Sequence, residues 1–485
     1  MGQVASRSSS AYLLRTTAAR RWLSAEAKAL PAESAAATIS TPNEEGTVGG
    51  HGIANITTAA KNKGNIVEAL DKAVNNGIPI KKWRIITPIN QFRRDKNYQA
   101  ALQLSEWMES KTSLINNADR AVRIELLAKS KNLDSAEEYF NGLQDSEKTT
   151  RTYGALLNCY CAKKHLEKAS ELFEKMKEVN AISTLNYNNM ISLYLQTGQP
   201  EKVVALVQEM EENKIDRDSY TCNQLINSYG MLKDIDAAEG VLEKMKADNI
   251  KTDSFTYGNL ATILFKAGLL DKAQSVLEKM EEMKNGREEL RTLITLYGQI
   301  SNPSGVYRVW ESLKSAFPKP SNKSYLIMLL ALSKLGDFEN LEKYFREWES
   351  ENKLYDMRIS NVLLDSYLRR DMIGEAELLY NSVLKRGAQP GLRTLELLTS
   401  FYVKNSQFDL ALKYLEMGAS QAAKSKKKWV LPNETVEGFL KYFEENREAD
   451  ATEKYYESLK RVSCPDSTLY DCMLSFNIVD QKAQA

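Results

Sequence analysis

The chain has 485 residues, 43% of them hydrophobic and 27% charged, with a net charge of +1 at neutral pH. So even a balance does not point to a broad basic surface that neutralises phosphates, and no apolar run is long enough to cross a bilayer as a helix. Five cysteines without paired spacing exclude a disulfide framework and suit a reducing compartment, and two histidines, His51 and His165, leave little for a zinc site.

In chain order, residues 1–23 carry Arg7, Arg15, Arg20 and Arg21 among Ser, Ala, Thr and Leu, and the first acid is Glu26. Arginines spread along an amphipathic stretch without a long apolar centre predict a cleaved organellar presequence, cut after Leu23 and addressed to the mitochondrial matrix rather than the chloroplast. Met1-Gly2-Gln3-Val4-Ala5-Ser6 also fits an acylation pattern, but one acyl chain anchors weakly and leaves the arginines unexplained. Residues 24–64 are rich in Ala, Ser, Thr, Glu and Gly and are expected to be a disordered leader. From 65 to 81 a capping helix is predicted, with Ile66, Ala69, Leu70, Ala73 and Val74 on one stripe.

The rest is one unit repeated. Copies begin at Lys82, Asn117, Thr150, Thr184, Ser219, Ser254, Arg287, Asn322, Met357 and Leu392, most of them 35 residues apart; another begins at Asn433 and a partial one, 467–485, at Ser467. In the copy from Ser254, a first helix places Leu260, Ile263 and Leu264 on one face, Gly268 ends it, and a second helix sets Ala273, Val276, Leu277 and Met280 at i, i+3, i+4 and i+7. Neither helix buries its stripe alone, so the period predicts an all-α, right-handed α-solenoid of about eleven helix-turn-helix repeats over 82–466, first helices lining the concave side.

The unit start Leu185-Asn186-Tyr187-Asn188-Asn189-Met190-Ile191, glycine at the fifteenth place (Gly198, Gly268, Gly336), alanine at the twentieth (Ala169, Ala238, Ala273) and methionine at the twenty-seventh (Met176, Met210, Met245) resemble the pentatricopeptide repeat. The opening repeat around Trp83 and Trp107 is similar to that of plant mitochondrial members of the P-class, without an editing or nuclease domain after the repeats. The resemblance implies one RNA base per repeat. The fifth and last residues meet the base edge, and the second residues of neighbouring repeats sandwich the ring. Mapped onto this chain, two successive repeats fit: Asn188 with Asp218 and Asn223 with Asp253 would read uridine and then cytidine, and Leu185, Tyr220 and Phe255 would stack. Both asparagines are expected at exposed helix positions. Elsewhere the pattern decays, as in Gly154 with Ser183, Arg291 with Ser321 and Asn361 with Gly391.

Lys424, Lys426, Lys427 and Lys428, in the connection before Asn433, are candidate phosphate contacts on a solvated loop. The glutamate pairs Glu211-Glu212 and Glu281-Glu282 read as a solvated outer face. Phosphate loops, nucleophile elbows and the His-x-Glu with Cys-x-x-Cys of a zinc deaminase are all missing from the sequence. The chain is therefore read as a binder and not an enzyme, with no cofactor, metal, membrane or small-molecule substrate. Its partner is mitochondrial single-stranded RNA, in transcript stability, processing or translation. The alternative is a scaffold joined to ribosomal RNA and ribosomal proteins.

Overall fold

The computed structural model describes residues 66–75, 82–111, 115–283, 286–351, 355–425 and 429–446, with Tyr455 and Ser458 beyond them. The presequence, the leader, the partial copy from Ser467 and Lys426, Lys427 and Lys428 lie outside these residues.

Among the described residues the regular elements are helices. They are α1 (Ile66–Asn75), α2 (Trp83–Arg94), α3 (Tyr98–Lys111), α4 (Asn117–Ser130), α5 (Leu133–Asn141), α6 (Thr150–Ala162), α7 (Leu166–Glu178), α8 (Thr184–Gln196), α9 (Pro200–Glu212), α10 (Ser219–Leu232) and α11 (Ile235–Ala247). There follow α12 (Ser254–Lys266), α13 (Leu270–Glu281), α14 (Arg287–Gln299), α15 (Pro303–Ala316), α16 (Asn322–Leu335), α17 (Phe338–Glu351), α18 (Met357–Leu368), α19 (Ile373–Lys385), α20 (Leu392–Lys404), α21 (Phe408–Ser425) and α22 (Asn433–Asn446). From α4 onward, the first helix of every hairpin begins at the residue where the sequence period restarts.

The chain divides into two packed units at Ala136, inside α5. In the first, Leu70 of α1 is buried and the Trp107 indole donates to Asp71 at 2.9 Å, so α1 docks on α3 through a polar handle as well as its apolar stripe. Val74, expected on that stripe, is exposed. Glu125 of α4 accepts from Arg93 and Lys129; burial alone would raise its pKa, but the two cations hold it below the usual carboxylate value.

The second unit is an α-solenoid stack in which each first helix packs on the next first helix and, through α17, on the second helix before it. The buried stripes repeat: Ala169, Phe173 and Met176 in α7, Val203, Val207 and Met210 in α9, Ala238, Val241, Leu242 and Met245 in α11, and Ala273, Val276, Leu277 and Met280 in α13. Each hairpin turns through one left-handed residue. Gly198, Gly268 and Gly336 fill that place at φ 73° to 79°, whereas Lys164, Lys233, Ser301, Asp371 and Ser406 adopt it at φ 55° to 63° without glycine's freedom.

A second feature ties the hairpins together. Successive second helices are bridged by ion pairs: Lys168 to Glu137 at 2.6 Å, Lys177 to Glu209 at 2.7 Å, Lys244 to Glu211 at 2.7 Å, Lys272 to Glu239 at 2.7 Å, Arg308 to Glu281 at 2.8 Å and Arg386 to Glu349 at 3.4 Å. The outer-face reading of the glutamate pairs holds for exposure at Glu211, Glu212 and Glu282, while Glu281 is half-buried. Glu211 and Glu281 are in addition rungs of this ladder, because a second helix brings its acid beside the base of the next.

Candidate nucleic-acid interface

The first-helix face is built from three residues per repeat: the last residue of one repeat, and the third and fifth of its first helices. The last residue is a helix cap before it is anything else. Asp218 accepts from the Thr221 backbone N–H at 2.8 Å and Asp253 from that of Thr256 at 3.0 Å, so each aspartate satisfies one of the orphan amides at the start of α10 and α12.

Asn188 reaches across from α8 to that cap. Its Nδ2 donates to both carboxylate oxygens of Asp218, at 3.2 and 3.1 Å, while Thr221 Oγ1 donates to its Oδ1 at 2.8 Å and to Asp218 at 2.9 Å. The amide is thus held in one orientation by the next first helix. Asn223 differs. No direct hydrogen bond joins it to Asp253, whose Oδ1 is taken by the Thr256 amide and hydroxyl, and the Asn223 Oδ1 is buried without a partner. A buried acceptor with no donor costs about 1 to 3 kcal/mol, a debt that an incoming donor would remove.

Both asparagines are buried, at 3% and 4% exposure, and not at exposed positions as the sequence suggested. Thr221 meets Asn188 from the neighbouring helix, a contact that a single-helix reading cannot see. Thr221 went unread in the sequence, although threonine recurs at the third place in Thr152, Thr221, Thr256 and Thr394. The same contact returns far along the stack, where Thr394 Oγ1 donates to Asn361 Oδ1 at 2.9 Å.

The stacking candidates are graded: Leu185 is 48% exposed, while Tyr220 and Phe255 are half-buried. Further along, charges occupy the second place and are already paired. Lys323 binds Glu288, Arg358 binds Asp356 and Arg393 binds Glu396. At the fifth place of α14, Arg291 is buried and its guanidinium is spent on Ser321, Ser324 and Glu288. The two pairs picked from the sequence therefore share one stretch of face, α8 to α12, beyond which paired charges take over.

Lys424 is exposed, but it sits in the last turn of α21 and not on a loop. The 18-residue α21 runs on because the chain folds back there: Trp429 is buried so close to Gly418 that a Cβ at that glycine would lie 2.1 Å from the ring. Among the described residues no group of three His, Cys, Asp or Glu is gathered as a metal ion would require.

Comparison with known proteins meets the same register. The repeat model of the PPR family matches residues 151–180, 220–250, 323–352 and 359–387, a second PPR repeat model matches 182–230, and a pentatricopeptide repeat domain model matches 240–285. A mitochondrial pentatricopeptide repeat-containing protein of Arabidopsis thaliana is 39% identical over 425 residues, 87% of this chain and 84% of that protein. A large ribosomal subunit protein of the same plant, mL101, is 37% identical over 383 residues, 78% of each chain. Among solved structures, the maize pentatricopeptide repeat protein PPR10 is 19% identical with a TM-score of 0.59, over 88% of this chain and 59% of that one. PPR10 in complex with an 18-nt psaJ RNA element aligns with a TM-score of 0.50. The fold is shared with PPR10, and identity of 39% sustained along most of both chains carries the assignment further: this chain belongs to the pentatricopeptide repeat family.

Proposed function

We propose that this protein binds single-stranded RNA in mitochondria and protects or positions a transcript without catalysis, reading two adjacent pyrimidines with Asn188 and Asn223. The observation that carries the reading is the unpartnered Oδ1 of Asn223 beside a neighbouring amide locked by Asp218 and Thr221. Unstacked bases expose donors and acceptors on their Watson–Crick edges, and an amide offers one of each. Cytidine's exocyclic amine fits the Asn223 acceptor. Asn188 opens its amide to uridine by exchanging a carboxylate contact for a base contact, with Asp218 still capping α10. The half-buried Tyr220 and Phe255 and the exposed Leu185 supply stacking surface on either side. The mitochondrial address follows from the arginine-rich start and agrees with the names of the Arabidopsis relatives.

A second reading, a scaffold within the mitochondrial ribosome, is favoured by two observations. The second places of α14, α16, α18 and α20 carry paired charges where stacking rings would be needed, and a ribosomal protein stands among the relatives. Sequencing RNA crosslinked to the tagged protein in mitochondria separates the two. One short footprint on a transcript is the expected result; broad ribosomal RNA coverage with co-sedimenting ribosomal proteins would replace the first reading by the second.

A further inference from the structure

At several steps of the second unit, the fifth residue of a first helix meets the third residue of the next. Thr221 bonds Asn188, Ser324 bonds Arg291 and Thr394 bonds Asn361, each pair 33 residues apart. The last residue of the repeat closes the cluster: Asp218 holds Asn188, and Ser321 holds Arg291. In α6 and α8 the same three places are filled by Gly154, Asn186 and Ser183. By sequence this repeat lacks a base-reading side chain, since its fifth residue is glycine.

The geometry supplies one from the other side. A Cβ at Gly154 would lie 2.7 Å from Asn186 Nδ2, so the amide of Asn186 stands where a fifth side chain would begin. Ser183 Oγ donates to Asn186 Oδ1 at 2.7 Å, which fixes the amide through the last residue of the repeat, as Asp218 fixes Asn188. Asn186 is 1% exposed, close to the 3% and 4% of Asn188 and Asn223, and its Nδ2 donates to no described residue. Gly154 itself is partly exposed, so the missing side chain leaves an opening onto that donor.

We propose that Asn186, at the third place of its helix, reads a base in place of Gly154, extending the reading face to three successive amides: Asn186, Asn188 and Asn223. This rests on the RNA-binding reading above. With Oδ1 committed to Ser183, the free group is a donor. The site therefore takes a base with a carbonyl acceptor at the corresponding edge, uridine O4 or guanosine O6, over adenosine and cytidine, which present an amine there. The carbonyl of Asn186 and the hydroxyl of Ser183 act together, one orienting and the other being oriented.

The test is a titration of short oligoribonucleotides in which the nucleotide read by Asn188 is kept constant and its two neighbours are varied in turn. Wild type should favour carbonyl-bearing over amine-bearing bases at the flank opposite the Asn223 nucleotide, by about fivefold, the worth of one net hydrogen bond. Asn186→Thr places the residue that Thr152, Thr221, Thr256 and Thr394 already hold at the third place, so the fold is kept; it should abolish that preference and leave discrimination by Asn188 unchanged. Gly154→Ala, which pushes the amide aside without altering it, should do the same. Full preference in both variants would reduce Asn186 to a packing residue and overturn the proposal. A wild-type protein that discriminates at the Asn188 nucleotide but at neither flank in this manner would also overturn it while sparing the RNA reading; indifference at every nucleotide would sink both.

Discussion

Asn188 and Asn223 occupy the same place in successive repeats, yet their surroundings give them opposite costs. Asn188 makes three hydrogen bonds to its neighbours, two of them to a carboxylate, whereas Asn223 leaves Oδ1 buried and unpaired. Asn188→Ala should therefore lower stability by about 1 to 3 kcal/mol, since bonds to charged partners are the stronger kind. Asn223→Ala should fall within about 0.5 kcal/mol of wild type, because it removes an unsatisfied group along with its side chain. Urea unfolding of the two variants at one temperature checks the contrast, and equal losses would show that Asn223 is satisfied as Asn188 is. The family resemblance pointed to both Asn–Asp pairs, but only Asn188 is hydrogen-bonded to its aspartate, Asp218, and no such bond joins Asn223 to Asp253. The burial of Asn188 was not legible, because Thr221 reaches over to it from the next helix.

At the scale of the element, the legible part was the period: the stripe of Ala273, Val276, Leu277 and Met280 is buried as its spacing required. Ala273 is fully buried, so Ala273→Asp should place an unpaired carboxylate in the core and cost several kcal/mol, about 3 to 5, with unfolding shared by the adjoining hairpins. An unchanged melting curve would mean that this face does not lie inward. The ion-pair ladder was not legible. Its members are separated by 27 residues for Arg308 and Glu281 but 33 for Lys244 and Glu211, distances that only the stacked geometry brings together. The ladder carries a pH dependence with a definite sign. Hydrogen bonding from Arg308 holds the Glu281 carboxyl below its usual value, and that from Lys244 does the same for Glu211. A lowered folded pKa means that the stabilisation is complete above the usual carboxylate range, near 4.5, and is lost as pH falls through the lowered value. Melting temperature should drop below about pH 4.5, and Glu281→Gln should make that drop shallower. A Gln variant that follows the wild-type profile would assign no part of the acid sensitivity to this rung.

For the molecule as a whole, repetition explains both what could be read early and what could not. Eleven similar units announce a stack of hairpins, because no single hairpin can bury its own stripe. Repetition also hides differences that matter: the glycine at Gly154, the arginine at Arg291 and the paired charges at Lys323, Arg358 and Arg393 change the face from one repeat to the next without changing the fold. The near-neutral net charge of +1 has a structural counterpart, since bases such as Lys244, Arg308 and Lys323 are committed to acids on neighbouring helices. Affinity for RNA should accordingly come from stacking and base edges more than from counterion release, and should depend on salt only weakly.

The most direct test of that account is a titration, at fixed salt, of wild type, Asn188→Ala/Asn223→Ala and Tyr220→Ala against short oligoribonucleotides that differ only at the two bases facing Asn188 and Asn223, with each variant first shown to be folded at the temperature used. Wild type should bind the uridine-cytidine version more tightly than the purine versions by about 1 to 3 kcal/mol per base contact. The double variant should lose that discrimination, and Tyr220→Ala should weaken all versions alike, because stacking tolerates any base. Equal affinity of wild type for pyrimidine and purine versions, or undiminished discrimination in the double variant, would contradict base reading by this face.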